Sequence, residues 1–285
     1  DVVVSGHTHQ AYVCDYSRVN PAKPFLLTSA GQYGTLLTDI LLRVDTQTRR
    51  VIRKTARNVV VQGEAFTGAQ GPVPLTTAVP TFPADPGVQK IIDTYRAAAI
   101  PLAQRPVGQA QGAMRRQPNA ALESVLGNLV ADAQLLATRA PEDGGAQLSF
   151  MNPGGLRADL VPDEQGLVRY GQLYAVQPFG NQLVIKTFTG AQIRAVLEQQ
   201  FASGGNTVQR PRVLSVSSGF SYRYDLSQPA GARISHMVLN GVPVTDTQSV
   251  RVVMSSFLDS GGDNFTVLTQ GQDRRVGELD LDALE

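Results

Sequence analysis

The order in which helical and extended patterns follow one another most constrains the fold of this chain. From residue 88 onward, segments with apolar residues at helical spacing are interspersed with strand-like runs, and Asn240-Gly241 marks a β-hairpin. Strict alternation of strands and helices would predict a doubly wound parallel sheet, whereas this mixed order favours an α+β fold. We therefore expect a mixed sheet with helices packed against it.

Local signals place the individual elements. Asp85 and Pro86 suit the N-cap and first position of a helix that Pro101 ends, and Thr189 with Gln192 predicts a capping box for a later helix. The predicted helices cover residues 86–100, 122–137 and 189–201. The predicted strands cover residues 147–151, 182–189, 212–225, 234–239 and 250–257.

Changes in composition divide the chain into three segments. Residues 1–62 carry strand-like apolar runs, which we expect to be the last strands of a sheet whose other strands precede Asp1. Residues 63–87 hold five prolines and several glycines, a composition typical of a linker between structural units. Residues 88–285 carry the interspersed helices and strands and are predicted to form the second domain.

Charge and composition exclude several classes of partner. The 285 residues have a formal net charge of +1, which gives no electrostatic basis for binding a nucleic-acid polymer or a membrane surface. The apolar runs are shorter than the ~18 residues that a membrane span needs, so no transmembrane segment is predicted. The single Cys14 excludes an intrachain disulfide.

Two of the three histidines, His7 and His9, lie close together after the apolar run 2–4 and a glycine. Neutral imidazole is the commonest side-chain metal ligand, and a loop at the end of a strand can turn both rings toward one metal cluster. Taken alone, the pair fits either a metal site or an ordinary polar loop.

Three glycine-containing loops carry the other candidate residues. The loop Asn-Pro-Gly-Gly-Leu-Arg, which ends at Arg157, suits an anion held by backbone amides and a guanidinium, or a tight turn with a surface arginine. The loop Pro-Phe-Gly-Asn places Phe179 in a turn, where a ring commonly packs under a loop. The loop from Phe257 to Asp263 fits a binding loop or a plain hairpin loop with a solvated carboxylate.

These motifs resemble those of known enzymes. The run Gly-His-Thr-His at residues 6–9 resembles the last metal-binding motif of the calcineurin-like metallophosphoesterases, and the three loops resemble, in order, the C-terminal domain of the 5′-nucleotidase family. The resemblance implies that residues 1–62 end a metallophosphoesterase β-sandwich domain and that residues 63–87 form the linker. Residues 88–285 would then be the 5′-nucleotidase C-terminal domain, which binds the substrate.

The resemblance also implies a role for each candidate side chain. Phe179 and Phe257 would hold the nucleobase between their rings, and Asp263 would accept hydrogen bonds from the ribose hydroxyls. Asn152 would lie near the phosphate and the sugar, and Arg157 would bind the phosphate. The implied substrate-binding residues are Asn152, Arg157, Phe179, Asn181, Phe257 and Asp263.

The metal chemistry implied by the resemblance is only partly present. His7 and His9 would each ligate one of two divalent ions, Zn²⁺, Mn²⁺ or a similar metal, which activate water in the complete enzyme. The other ligands and the catalytic histidine would belong to a segment that precedes Asp1. We therefore expect this chain alone to be inactive, with a weak or empty metal site. Leu122 departs from the family, because some members have a phosphate-binding arginine at that position, and the preferred phosphate ester stays open.

Three functional classes remain compatible with the sequence. The first is the C-terminal portion of a metal-dependent 5′-nucleotidase that is extracellular, periplasmic or associated with the cell envelope. The second is a 2′,3′-cyclic phosphodiesterase/3′-nucleotidase or a nucleotide-sugar hydrolase of the same family. The third is a non-catalytic envelope module with the same fold. The expected partners are a nucleotide or nucleoside and the preceding segment of the same protein.

Overall fold

The computed structural model describes residues 1–68 and 71–285 and forms two compact units, Asp1–Arg96 and Ala97–Glu285. Helices and mixed sheets occur together, which confirms the α+β prediction. The predicted linker at 63–87 includes residues 69 and 70, which lie outside the described residues. Within the described part of the chain, no helix combines the length and the apolar content that a membrane span requires.

The first unit consists mainly of strands. In chain order they are β1 (Val2–Val4), β2 (Ala11–Asp15), β3 (Leu26–Ala30), β4 (Leu36–Asp45), β5 (Arg50–Val60), β6 (Phe66–Gly68) and β7 (Gly71–Val73). Strand β3 pairs in parallel with β1 and antiparallel with β2, and β4 and β5 form a long antiparallel hairpin. Leu37 and Leu41 occupy the same face of β4 and are 62% and 70% exposed.

Helix α1 (Pro86–Ala103) begins where the sequence predicts but ends later. Asp85 caps it, since its carboxylate accepts hydrogen bonds from two backbone N–H groups at 2.8 and 2.9 Å. The prediction that Pro101 ends the helix was wrong, because this proline lies inside the last turn. The turn still closes, since the N–H of Gln104 donates to the carbonyl of Ile100 at 2.9 Å.

The second unit is built on a five-stranded mixed sheet. Its first elements are β8 (Pro106–Gln109), α2 (Val125–Thr138), β9 (Leu148–Met151), β10 (Leu167–Arg169), α3 (Tyr170–Val176), β11 (Gln182–Thr189), α4 (Gly190–Glu198), β12 (Ala202–Ser203) and β13 (Asn206–Thr207). Its later elements are β14 (Ser215–Val216), β15 (Phe220–Tyr224), β16 (Ile234–Leu239), β17 (Val242–Pro243), β18 (Ser249–Ser255), α5 (Ser256–Asp259), β19 (Gln272–Leu279) and α6 (Asp280–Leu284). The order β14-β9-β18-β11-β19, with β18 parallel to β9 and antiparallel to β11, confirms the predicted mixed sheet.

The two faces of this sheet bury separate apolar clusters, because successive side chains of a strand point to opposite faces. One face packs Phe150 and Phe188 against α4 and the small sheet β15-β16-β17. The other face packs Met151 against apolar residues of α2, α3 and α6, among them Leu126 and Val176. The sheet is therefore the base from which the three glycine-containing loops extend.

Several predicted elements have different bounds in the structure, and the helix predicted over 122–137 and the strand predicted over 212–225 differ most. The helix predicted from Leu122 begins at Val125, because Ser124 is its N-cap and its hydroxyl accepts the N–H of Gly127 at 3.1 Å. Leu122 precedes the cap and has a left-handed backbone with φ of 60°. The strand predicted over 212–225 is divided into β14 and β15 by a turn in which Gly219 has φ of 88°.

The third difference concerns a candidate site residue. The strand predicted over 250–257 ends at Ser255, whose hydroxyl accepts the N–H of Leu258 at 3.4 Å and caps the short helix α5. Phe257 therefore lies on a helical turn rather than on the strand. The apolar run continues through Phe257, and only the capping serine marks the change.

Candidate functional site

The sheet topology brings the three glycine-containing loops to one edge. The 152–157 loop follows β9, and the loop from Phe257 to Asp263 follows β18, which is parallel to β9. The 178–181 loop precedes β11, which is antiparallel to β18, and Leu183 pairs with Ser255. Because parallel strands end at the same edge and antiparallel ones begin there, all three loops lie side by side.

A hydrogen-bonded cluster joins two of these loops. Asn152 is 3% exposed, and its Nδ2 donates to Asp263 Oδ2 at 2.9 Å. The other carboxylate oxygen, Oδ1, forms an ion pair with Arg212 Nη1 at 3.0 Å. The structure therefore brings Asn152 and Asp263 together and adds Arg212 as a third member of the cluster.

The backbone that carries Asp263 has an uncommon conformation and is held by hydrogen bonds from another segment. Asp263 and Asn264 have φ of 53° and 67°, in the left-handed region that few residues with side chains adopt. Asn206 Nδ2 donates to the Asp263 carbonyl at 2.8 Å, and the Ser203 hydroxyl donates to the Asn264 carbonyl at 2.7 Å. These bonds hold the carboxylate in place from the outside of the loop.

The phenylalanine of the second loop lies against Arg157. Phe179 is 54% exposed, and the Arg157 guanidinium carbon lies 5.6 Å from the centroid of its ring. Arg157 Nη1 also donates to the Gly154 carbonyl at 3.4 Å. The guanidinium is thus held between the first and second loops, and its remaining N–H groups are suited to a phosphate.

Phe257 is half-exposed, and its ring packs on the backbone of its own loop. It is 42% exposed, and a Cβ at Gly262 would lie 2.5 Å from the ring atom Cε1, so only glycine fits beneath the ring. The helical turn that carries Phe257 is anchored by Asp259, which pairs with Lys186 of β11 and with Arg274 of β19. Both side chains of the predicted clamp therefore lie outside the buried apolar clusters.

Both polar side-chain atoms of Asn181 form hydrogen bonds within the protein. Its Nδ2 donates to Asp280 Oδ2 at 3.0 Å, and its Oδ1 accepts the Ser256 hydroxyl at 3.5 Å. Asp280 is 2% exposed, and this burial raises the pKa of its carboxyl. The geometry gives Asn181 a role in joining α6 to the residue that precedes Phe257.

His7 and His9 lie in an exposed loop after β1. Both have left-handed backbones, with φ of 66° and 59°, and the loop is closed by the Thr8 N–H, which donates to the Gly6 carbonyl at 2.7 Å. Within residues 1–68 and 71–285, no group of three His, Cys, Asp or Glu side chains is placed to hold a metal. The residues present therefore do not fit a complete dimetal centre, and the two imidazoles are at most a partial ligand set.

A family model for the 5′-nucleotidase C-terminal domain matches residues 106–270, which is more than half of the chain. This chain belongs to the 5′-nucleotidase family. The matched range contains the three glycine-containing loops and excludes His7 and His9.

Relatives and solved structures agree with this family. The trifunctional nucleotide phosphoesterase protein YfkN of Bacillus subtilis (strain 168) is 27% identical over 280 residues, which cover 95% of this chain and 17% of that protein. A snake venom 5′-nucleotidase of Naja atra is 30% identical over 175 residues, covering 56% of this chain and 32% of that protein. The crystal structure of a 5′-nucleotidase precursor from Thermus thermophilus is 28% identical, with a TM-score of 0.66 over 99% of this chain and 55% of that chain. The chain thus spans only part of each of these relatives.

Two charged residues that support the site were not predicted from the sequence. Arg212 lies in the segment before β14 and has no motif around it, and Lys186 is an isolated charge in an apolar strand. A lysine in the middle of an apolar strand is a usable signal, because a buried charge needs a partner. No comparable signal exists for Arg212, whose partner is 51 residues away in the sequence.

Proposed function

We propose that the second unit binds nucleoside phosphates as the substrate-binding part of a metal-dependent 5′-nucleotidase, which releases nucleoside and phosphate. The observation that carries the proposal is the convergence of two exposed phenylalanines, a carboxylate and a guanidinium at one sheet edge. A site of this kind offers a separate contact to the base, the sugar and the phosphate.

Phe179 and Phe257 are assigned to the nucleobase. Exposed aromatic rings on the surface of a folded unit are available for stacking, and every base has a π-face. Among the described residues, neither ring stacks on another aromatic side chain, so each keeps at least one face for a ligand. A base between them would replace water on both rings.

Asp263 and Asn152 are assigned to the ribose, and Arg157 to the phosphate. A carboxylate oxygen has two acceptor positions, so each Asp263 oxygen can accept a ribose hydroxyl in addition to its bond within the protein. Arg157 presents a planar fork of donors, the geometry that matches phosphate oxygens. Asn181 is assigned to the support of this site through Asp280 and Ser256.

Residues 1–62 are assigned to the end of the metal domain, and residues 63–87 to the linker that precedes the substrate-binding domain at 88–285. His7 and His9 would supply two ligands for divalent ions such as Zn²⁺ or Mn²⁺, which activate water when bound. The exposed side chains of Leu37 and Leu41 support the view that further strands cover the β4-β5 hairpin in the complete enzyme. An extracellular or envelope location is supported by the venom origin of one relative.

Calorimetric titration of the chain with AMP and with adenosine tests this assignment. We expect both to bind, and Arg157→Met to weaken AMP binding by about tenfold while largely keeping adenosine binding, because only AMP carries the phosphate to which the guanidinium is assigned. Arg139→Met, at the exposed arginine that follows α2, is the matched control. If Arg157→Met binds both ligands as tightly as wild type, Arg157 is not the phosphate contact. If wild type binds neither ligand, the proposal is refuted.

A further inference from the structure

A recess of the second unit lies beside the start of α2. It has a volume of about 250 Å³ and is lined by the loop before α2, by α2 itself and by the segment that contains β14 and β15. None of the residues assigned to the nucleotide lines it. The recess is therefore a separate cavity, and its chemistry can be considered by itself.

One wall of this recess is aromatic. Phe220, Tyr222 and Tyr224 alternate along β15 and therefore point to one face of the strand. The ring centroid of Tyr222 lies 6.0 Å from that of Phe220 and 6.4 Å from that of Tyr224. Both hydroxyl groups are bonded within the protein, Tyr222 to the Gln200 side chain at 3.2 Å and Tyr224 to the Ala121 carbonyl at 3.2 Å. The wall therefore offers ring surface rather than free hydroxyl groups.

A single carboxylate, that of Glu123, stands among the lining residues. Glu123 precedes the N-cap of α2, and its Oε1 accepts Asn128 Nδ2 at 2.7 Å. The loop that carries Glu123 is held by Asn119, whose Oδ1 accepts the N–H groups of Ala121 and Glu123 at 2.8 and 3.0 Å. Among residues 1–68 and 71–285, no Lys, Arg or His forms an ion pair with Glu123. The carboxylate is thus oriented while its charge is not neutralised.

The recess has acceptors that lack a donor. Asn128 Oδ1 is buried and has no hydrogen-bond partner in the described part of the chain. The lining residues include no Lys, Arg or His. Burial raises the pKa of the Tyr222 phenol to about 12, and the negative charge of Glu123 is a further, smaller cause of this rise. A buried acceptor without a donor costs free energy, which an N–H group of a ligand would recover.

We propose that this recess binds a small primary alkylammonium ion, a ligand class different from the nucleotide. An ammonium group carries three N–H donors, which suit the oxygens of Glu123 and Asn128. Its positive charge is attracted by the carboxylate and by the faces of the tyrosine rings. The alkyl chain would replace water on the aromatic wall. The competing account gives Glu123 a structural role only, because an acidic side chain beside a helix N-terminus stabilises the helix.

Binding is measured from the backbone amide NMR signals of residues 1–285 during titration with n-butylammonium chloride, against sodium chloride at the same ionic strength. For a ligand of this size we expect a dissociation constant in the millimolar range. The shifted signals should include those of Glu123, Asn128 and Tyr222. 1-Butanol, which has no charge, and tetramethylammonium, which has no N–H donor, should each bind at least about tenfold more weakly.

Substitutions test the two walls separately. Glu123→Gln removes the charge and keeps an oxygen for Asn128, so we expect it to weaken butylammonium binding by about tenfold with little change for 1-butanol. Tyr224→Leu should also weaken butylammonium binding because it removes a ring, whereas Tyr224→Phe keeps the ring and should bind like wild type. Glu142→Gln, at an exposed glutamate in the turn that follows α2, is the matched control and should change no affinity.

The inference is overturned if butylammonium does not shift the signals of the recess, or if 1-butanol or tetramethylammonium shifts them at the same concentrations. Equal binding by wild type and by a folded Glu123→Gln would leave Glu123 only its structural role at α2. If Glu123→Gln does not fold, the comparison of Tyr224→Leu with Tyr224→Phe decides, since both keep Glu123. If adenosine shifts the same signals, the recess belongs to the nucleotide site, and this inference fails while the proposed function stands.

Discussion

Replacing Phe257 with alanine should weaken nucleoside binding strongly while costing only a modest part of the stability of the fold. Full burial of a phenylalanine side chain contributes about 1.5–3 kcal/mol to stability. Because Phe257 is 42% exposed, only a little more than half of its surface contributes. We therefore expect a loss of about 1–2 kcal/mol in the free energy of unfolding. No closed cavity is left, since the ring lies on an open loop.

The expected loss of binding free energy is similar to or larger than the loss of stability. Removal of one base–aromatic stack costs about 1–3 kcal/mol, which corresponds to an increase of roughly 5- to 150-fold in the dissociation constant at 25 °C. Phe179, which is 54% exposed, should show a similar loss of affinity and a smaller loss of stability. Adenosine titration by calorimetry, together with chemical denaturation of each variant, measures both quantities.

Two control variants give the values with which Phe257→Ala is compared. Phe150→Ala removes a ring that is 1% exposed in the core, and should cost about 3–5 kcal/mol of stability. Phe82→Ala removes a ring with a comparable exposure of 47% in the first unit, and should leave adenosine binding unchanged. The reasoning is refuted if Phe257→Ala destabilises the protein as much as Phe150→Ala while its affinity for adenosine stays at the wild-type value.

Three further outcomes follow from the structure. Titration with Zn²⁺ should shift the imidazole NMR signals of His7 and His9 together at lower concentration than that of the exposed His236, and equal shifts for all three would remove the metal assignment. Residues 1–285 alone should release no phosphate from AMP with Zn²⁺ or Mn²⁺ present, because the described residues supply only a partial ligand set; turnover free of contaminants would contradict this. Burial raises the pKa of Asp280, so the folded state holds this proton to a higher pH than the unfolded state, and ionisation destabilises the fold as pH rises through that window. Asp280→Asn cannot ionise, so its free energy of unfolding relative to wild type should increase with pH above about 4 and then level off; a constant difference from pH 3 to 8 would show that the burial has no such effect.

The sequence predicted best those elements whose signals are local. Strands 182–189 and 234–239 have the predicted bounds, and the capping box of Thr189 and Gln192 is present with hydrogen bonds of 2.9 and 3.2 Å. In these cases the alternation of apolar residues or a pair of side chains three residues apart determines the structure. Contacts with distant parts of the chain do not change the bounds of these elements.

The parts that were not predicted depend on contacts between distant residues. Helical spacing alone could not exclude Leu122 from α2, because the left-handed backbone there is decided by the preceding turn and by the Ser124 cap. The Arg212–Asp263 pair exists only because β9, β14 and β18 are neighbours in the sheet. A single sequence carries the motifs of the site but not the partners that complete it.

The anchoring of Phe257 has a consequence for selectivity between bases. Asp259 binds Lys186 and Arg274, so one wall of the proposed base slot is fixed to two strands of the sheet. The other wall, Phe179, is followed by Gly180 in open space, with φ of 63° and no atom within 4 Å of a Cβ built there. If the open space around Gly180 lets Phe179 move, the proposed slot would change its width for a purine or a pyrimidine at little cost. Discrimination between nucleotides would then depend on the sugar and phosphate edge rather than on the base.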